Sequence, residues 1–104
     1  MITYRIHQIK DIENTDYAFR AYDPKKFCFL DYECKYEGEF TDDTKGATEI
    51  CEVIFYLFNM CRPADFKGHS LSMSDIIELD TGMSKRLYYC NTCGYCDTSG
   101  WKRI

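Results

Sequence analysis

Residues 63–77 (PADFKGHSLSMSDII) constrain the fold more than any other stretch, because they separate a helical pattern from two strand patterns. Pro63 cannot continue the preceding helix, since proline lacks the amide hydrogen that a helical turn needs. Residues 65–70 are predicted to form a turn in which Gly68, having no Cβ, adopts a positive φ. The stretch therefore predicts a rigid connection between a helix and a hairpin, which we call the joint (residues 63–77).

The helix before the joint is the clearest periodic element and is predicted at about residues 48–59. Its apolar residues recur three and four positions apart, which is typical of a helix with one buried face. They are Ile50, Val53, Ile54, Leu57 and Phe58. Thr48 is expected to cap the first free amides, and Glu49 lies in the first turn, where the helix dipole favours a negative charge.

Strand patterns lie on both sides of this helix. Residues 2–9 alternate between apolar and polar, which indicates a strand with one buried face, and His7 is then expected on the exposed surface. Further strands are predicted at residues 32–40, 76–80, 86–91 and, as a short candidate, 101–104. We therefore expect an α+β fold in which one main helix packs on a small, mainly antiparallel sheet.

Length and charge narrow the class of protein. A chain of 104 residues predicts a single domain covering residues 1–104. The net charge of −4, with only short and scattered basic pairs, disfavours a nucleic-acid partner. The longest apolar run, residues 53–58, is too short to cross a bilayer, and the chain shows no signal-peptide pattern. We expect a cytoplasmic protein with no membrane partner, and the oligomeric state stays open.

The chain has seven cysteines, an odd number, which we expect to be reduced thiols. The spacing that most suggests a metal site is that of Cys90, Cys93 and Cys96, because Cys-x-x-Cys occurs in structural zinc sites. Such a site needs four ligands, and Cys61 or His69 would have to complete it. We therefore expect no metal and no cofactor, and keep a zinc-binding or thiol redox domain as the alternative hypothesis.

No catalytic set is recognisable in the sequence. A Cys–His nucleophilic site would need a thiol beside His69 or His7 and an orienting acid such as Asp65, and no spacing specifies one. Phosphate-binding loops, nucleophile elbows and dinucleotide fingerprints have no match. We expect His69 instead to donate a hydrogen bond that fixes the turn, and we expect the protein not to be an enzyme.

The joint with its flanking arginine, residues 62–77 (RPADFKGHSLSMSDII), resembles the signature of the YodL-like domain family almost residue for residue. Residues 88–95 (YYCNTCGY) resemble the second signature of that family, an aromatic strand followed by a turn, a glycine and an aromatic residue. Residues 10–15 and 36–38 also match in kind, so the resemblance covers nearly the whole chain. At the three late cysteine positions the family commonly has other residue types, which counts against a shared metal site.

The resemblance implies a small bacterial domain that binds proteins, occurs alone or within proteins of mobile genetic elements, and has no established catalytic residues. On this basis we expect a non-enzymatic, cytoplasmic protein-interaction module that acts on a protein of the host or of the element. Its partner-binding residues are predicted to be Asp65, Phe66, Lys67, His69 and Ser72, with exposed aromatic residues nearby.

Overall fold

The computed structural model describes residues 1–41 and 45–98, in which five strands and one long helix form. In chain order they are β1 (Ile2–Ile9), β2 (Tyr32–Phe40), α1 (Ala47–Met60), β3 (Ile76–Asp80), β4 (Lys85–Asn91) and β5 (Gly94–Asp97). The strands form one sheet in the order β2-β1-β3-β4-β5, and every neighbouring pair is antiparallel. The α+β class with an antiparallel sheet is therefore confirmed. The candidate strand at 101–104 lies outside the described residues.

The sheet buries apolar side chains on both of its faces. On one face, residues of β1, β3 and β4 share a hydrophobic cluster with the buried residues of α1. Its members include Tyr4, Ile6, Ile50, Ile54, Phe58, Ile77, Leu79 and Cys90. On the opposite face, the buried residues Ile9, Tyr17, Phe27, Tyr32, Ile76 and Tyr89 form a second cluster. The irregular connection between β1 and β2, which we call the cover segment (residues 10–31), therefore contributes Tyr17 and Phe27 to the second cluster and closes that face of the sheet.

The helix begins one residue earlier than predicted, and its cap differs. The capping residue is Gly46, whose amide donates to Oε1 of Glu49 at 3.4 Å, whereas Thr48 is exposed inside the first turn. The prediction of a Thr48 cap is wrong because Glu49 reaches back and satisfies the helix start itself. The helix ends at Met60, before Pro63, as expected. Among the described residues, no helix combines the length and apolarity that crossing a membrane requires.

His7 is buried, so the prediction that it lies on the exposed surface of β1 is wrong. Its Nε2 lies 2.8 Å from Oε1 of Glu78, and its ring packs edge-on against Phe29 with 4.9 Å between centroids. Burial lowers the pKa of His7, since poorly hydrated surroundings disfavour the imidazolium form. The prediction failed because the cover segment buries a strand face that alternation alone assigns to solvent.

Candidate functional site: the joint and its buried aspartate

Asp75 connects the joint to the sheet from inside. The residue is 1% exposed, and Oδ2 accepts hydrogen bonds from the Ser72 amide at 2.9 Å and from Nε2 of Gln8 at 3.1 Å. The Asp75 amide donates to the Ser72 carbonyl at 3.2 Å, and the Asp75 carbonyl accepts from the Cys90 amide at 2.9 Å. One residue therefore joins the turn to both β1 and β4.

Gln8 of β1 reaches the joint at a second point. Its Nε2 also donates to the His69 carbonyl at 2.9 Å. Gly68 lies so close that a Cβ there would come within 2.0 Å of Oε1 of Gln8 and 2.9 Å of Cζ of Phe66. The prediction of a positive φ at Gly68 is wrong, and within the joint Ser74 has that conformation, with φ 81°. A glycine is needed at position 68 because the side chains of Gln8 and Phe66 lie so close to it, and not because of its backbone conformation.

Gly68→Ala is expected to lower the free energy of unfolding by about 2 kcal/mol, because the new methyl group must displace the Gln8 amide in a packed interior. In a Gln8→Ala background the same change should cost less than half as much, since the obstructing amide is gone. Urea denaturation of the four proteins in this cycle measures both costs. Equal costs in the two backgrounds would contradict the proposed contact.

Two residues with positive φ meet where the cover segment touches the joint. Phe19 has φ 61° and Ser74 has φ 81°, and the Phe19 amide donates to Oγ of Ser74 at 2.9 Å. Positive φ is uncommon outside glycine, and such positions persist only where the surrounding structure enforces them, often at binding sites. The Phe19 side chain remains 46% exposed, with its ring centroid 5.7 Å from that of His69. This contact marks the candidate site.

Two of the five predicted binding residues hold the joint in place. Phe66 is 8% exposed and packs edge-on against Phe58 with 5.0 Å between ring centroids. The Ser72 amide is bound by Asp75, and Oγ of Ser72 is buried with no hydrogen-bond partner among the residues that the structure describes. Burial of the Phe66 ring and the hydrogen bond from the half-buried Ser72 to Asp75 therefore give these two residues a supporting position.

The other three predicted residues face outward. Asp65 and Lys67 are exposed, and the His69 side chain is 37% exposed. Nδ1 of His69 lies 2.7 Å from the Ser70 carbonyl oxygen and 3.3 Å from Nε2 of Gln8. With its proton on Nδ1 the ring donates to Ser70, which is the hydrogen bond expected of His69 within the turn, and without that proton it accepts from Gln8. Nε2 of His69 lies 4.0 Å from Oδ1 of Asp75, so this ring links the buried carboxylate to the surface.

Burial raises the pKa of Asp75 to about 6, because an ionised carboxylate loses hydration inside the protein. Hydrogen bonds from Ser72 and Gln8 and the nearby His69 act in the opposite direction and do not offset the burial. The folded protein therefore binds a proton at Asp75 more readily than the unfolded chain does.

The raised pKa of Asp75 predicts that the contribution of this residue to the stability of the protein falls as pH rises. Between about pH 4 and pH 6 the folded state holds more protons at this site than the unfolded state, so its contribution to stability falls as pH rises. We expect the stability difference between wild type and Asp75→Asn to be about 2 kcal/mol larger at pH 4.5 than at pH 7. Urea denaturation across this range measures it. A difference that stays constant, or that grows with pH, would rule out the raised pKa.

The three late cysteines do not converge on one point. Cys90 is buried in the cluster shared with α1, Cys96 packs on the opposite face, and Cys93 is exposed in the turn between β4 and β5. Burial also raises the pKa of the Cys90 thiol, which disfavours the thiolate that metal binding requires. Within residues 1–41 and 45–98, no three His, Cys, Asp or Glu side chains form a group that could hold a metal ion.

The sequence reasoning missed Gln8 and Asp75, the two residues that fix the joint. A signal for Gln8 exists, because it lies two positions after Ile6 and four after Tyr4, on the strand face predicted to be buried. A polar residue on that face needs an internal partner. The sequence gives no comparable signal for Asp75, whose position in a Ser-rich run resembles an ordinary exposed turn.

These features define a small α+β domain whose long helix is connected to a hairpin by a joint pinned through a buried aspartate. The chain belongs to the YodL-like domain family, whose model matches residues 3–104. The match includes the cover segment, the joint and strands β3 and β4, so every part of the candidate site lies within it. The comparison with curated proteins and the comparison with solved structures each found no match.

Proposed function

We propose that the chain is a non-enzymatic protein-interaction module that presents the outer side of the joint to a partner protein. The contact surface consists of Phe19, Asp65, Lys67 and His69. One observation carries the proposal: the hydrogen bonds of buried Asp75 hold the joint from inside while these four side chains stay accessible. A surface that is already ordered loses less conformational entropy when a partner binds.

The chemistry of the contact surface supports a protein partner. An exposed aromatic ring beside a histidine offers flat apolar area, and aromatic residues are enriched at the centres of protein interfaces. Asp65 and Lys67 supply one charge of each sign, which fixes the orientation of a complementary partner more than it adds affinity. In this proposal α1, packed on the sheet, and the supporting residues Phe66 and Ser72 serve as the scaffold.

We further propose that the module works in the bacterial cytoplasm. The resemblance to the YodL-like family implies a bacterial cytoplasmic protein, carried by a mobile genetic element, with a host or element protein as partner. An odd number of cysteines fits a reducing compartment, where thiols stay unpaired. The net charge of −4 supports a partner other than nucleic acid.

Capture of partners from a bacterial lysate tests the proposal. We expect Asp65→Asn/Lys67→Met to reduce recovery of the partner at least about tenfold, as loss of charges central to an interface does. The matched control is Glu39→Gln/Lys85→Met, which likewise removes one charge of each sign, from exposed side chains outside the joint, and leaves the net charge unchanged.

Circular dichroism and urea denaturation should show both double variants folded, so that loss of binding is separated from loss of structure. Equal recovery of the partner by the two double variants would place the binding surface elsewhere. A purified protein that recovers no partner and hydrolyses a substrate would overturn the proposal as a whole.

A further inference from the structure

A cleft of about 250 Å³ lies between α1 and the β4–β5 hairpin. Its walls are contributed by Glu52 and Phe55 of α1, Met73 of the joint, and Thr92 and Tyr95 of the hairpin. Pockets that hold small-molecule ligands are usually about 300–1,000 Å³. The smaller volume suits a single side chain better than a cofactor.

Two walls of the cleft are aromatic and fixed. The rings of Phe55 and Tyr95 meet edge to face, with 6.3 Å between centroids, and both are partly buried against the cluster under α1. Sδ of Met73 accepts a weak hydrogen bond from Oγ1 of Thr92 at 3.7 Å, which ties the joint to the hairpin turn. Aromatic faces and a polarisable thioether favour a flat cationic group, because ring faces attract positive charge.

The rim of the cleft carries an available negative charge. Glu52 is exposed, and its carboxylate forms no ion pair with any residue that the structure describes. Glu52 and Tyr95 both line the cleft, so the carboxylate lies near the aromatic wall, and burial, with a smaller effect from Glu52, raises the pKa of Tyr95. The negative net charge of the chain favours approach of a cation.

A second, open depression extends the cleft along the outer side of α1. It shares Glu52 with the cleft, and it is also lined by Glu49, Val53, Tyr56 and Lys45, so a partner that binds there meets one positive charge as well as two carboxylates. Val53 and Tyr56 are one helical turn apart and both are exposed, so they present an apolar patch directly beside a carboxylate. A cationic group and an adjacent apolar group can therefore be bound side by side.

We infer that the cleft binds an arginine side chain of a partner polypeptide, with a neighbouring apolar residue of that polypeptide on Val53 and Tyr56. The guanidinium pairs with the Glu52 carboxylate and stacks on the aromatic wall, a combination that arginine makes better than lysine because its cation is planar. This inference rests on the proposed function and adds a second point of contact to it, with the chemistry that the partner must present there.

A peptide titration tests the inference without the natural partner. The probe is acetyl-Gly-Leu-Arg-Gly-amide, added to the ¹⁵N-labelled chain and followed by amide chemical shifts. We expect saturable shifts around Glu52 and Tyr95 with a millimolar dissociation constant, as a single anchored side chain gives. The same peptide with citrulline, which is neutral and of similar shape, should produce no saturable shift.

Variants assign the binding to the cleft. Glu52→Gln should weaken the peptide about fivefold, and the effect should shrink in high salt, as expected for an accessible ion pair. Phe55→Leu, which keeps apolar bulk and removes the ring, should weaken it by a similar factor. Glu13→Gln removes one exposed carboxylate elsewhere and should leave the affinity unchanged.

Several results would overturn the inference: equal binding of the arginine and citrulline peptides, equal binding of a lysine peptide, no effect of Glu52→Gln, or shifts confined to the contact surface. Absence of saturation at tens of millimolar peptide would do the same. The peptide reports on the cleft alone, so its failure leaves the joint to be judged by partner capture. Failure of partner capture at the joint would equally leave the peptide result standing.

Discussion

Asp75→Ala is expected to lower the free energy of unfolding by about 3 kcal/mol at pH 5, because it leaves the Ser72 amide without this acceptor and removes one of the two acceptors of Gln8 Nε2. The Ser72 amide and Nε2 of Gln8 both donate to the Asp75 carboxyl, at 2.9 and 3.1 Å, and the alanine side chain has no acceptor for either of them. The loss should be smaller at pH 7, where the wild-type protein must bury an ionised carboxylate whose pKa burial has raised to about 6. Urea denaturation followed by circular dichroism at the two pH values measures both.

Asp65→Ala is the matched control, since it removes an exposed acid from the same joint. It should change the free energy of unfolding by less than about 0.5 kcal/mol. If Asp75→Ala costs no more than Asp65→Ala, the joint is not held from inside, and the main support for an ordered contact surface disappears.

The strands could be predicted because alternation is a local property of the sequence. The predicted bounds of β1 (Ile2–Ile9), β2 (Tyr32–Phe40) and β3 (Ile76–Asp80) agree with the structure. β5 (Gly94–Asp97) was missed, because four residues are too few to show a period and the cysteine spacing suggested chemistry instead. Gly94, with φ 91°, was the available signal for the turn that precedes it.

The second covered face of the sheet could not be predicted in the same way. The cover segment has no periodicity, so tertiary contacts decide whether Tyr17 and Phe27 point toward the sheet or toward solvent. His7 was consequently assigned to solvent, because its partner Glu78 lies 71 residues away in sequence and nothing near His7 indicates that contact. Contacts between positions so distant along the chain have no local pattern.

The sequence predicted where the joint lies but not which residues hold it in place. The sequence located the joint through its proline, glycine and polar turn-formers, and the structure places a strained contact there. Its internal support depends on Gln8 and Asp75, which are 67 residues apart, so reasoning from turn residues alone could not pair them. The same reasoning grouped Phe66 with the exposed Lys67, because a turn pattern does not say which side chains point inward.

Phe66→Ala is expected to lower the free energy of unfolding by about 3 kcal/mol, the lower end of the range for a buried phenylalanine, because the ring is 8% exposed. The ring packs edge-on against Phe58 and Tyr36, at centroid distances of 5.0 and 6.3 Å, so its removal leaves a cavity beside these two rings. Thermal and urea denaturation measure the loss.

Phe19→Ala makes the same chemical change at the outer surface. Comparing it with Phe66→Ala distinguishes a residue that contacts the partner from one that stabilises the joint. Phe19 is 46% exposed, so we expect a loss of about 1 kcal/mol or less, together with weaker capture of the partner by a folded protein. Phe66→Ala should instead weaken capture only in proportion to the unfolded fraction. If Phe66→Ala leaves stability intact and abolishes capture, Phe66 is itself a contact residue, and the division of the joint into an inner support and an outer contact surface is wrong.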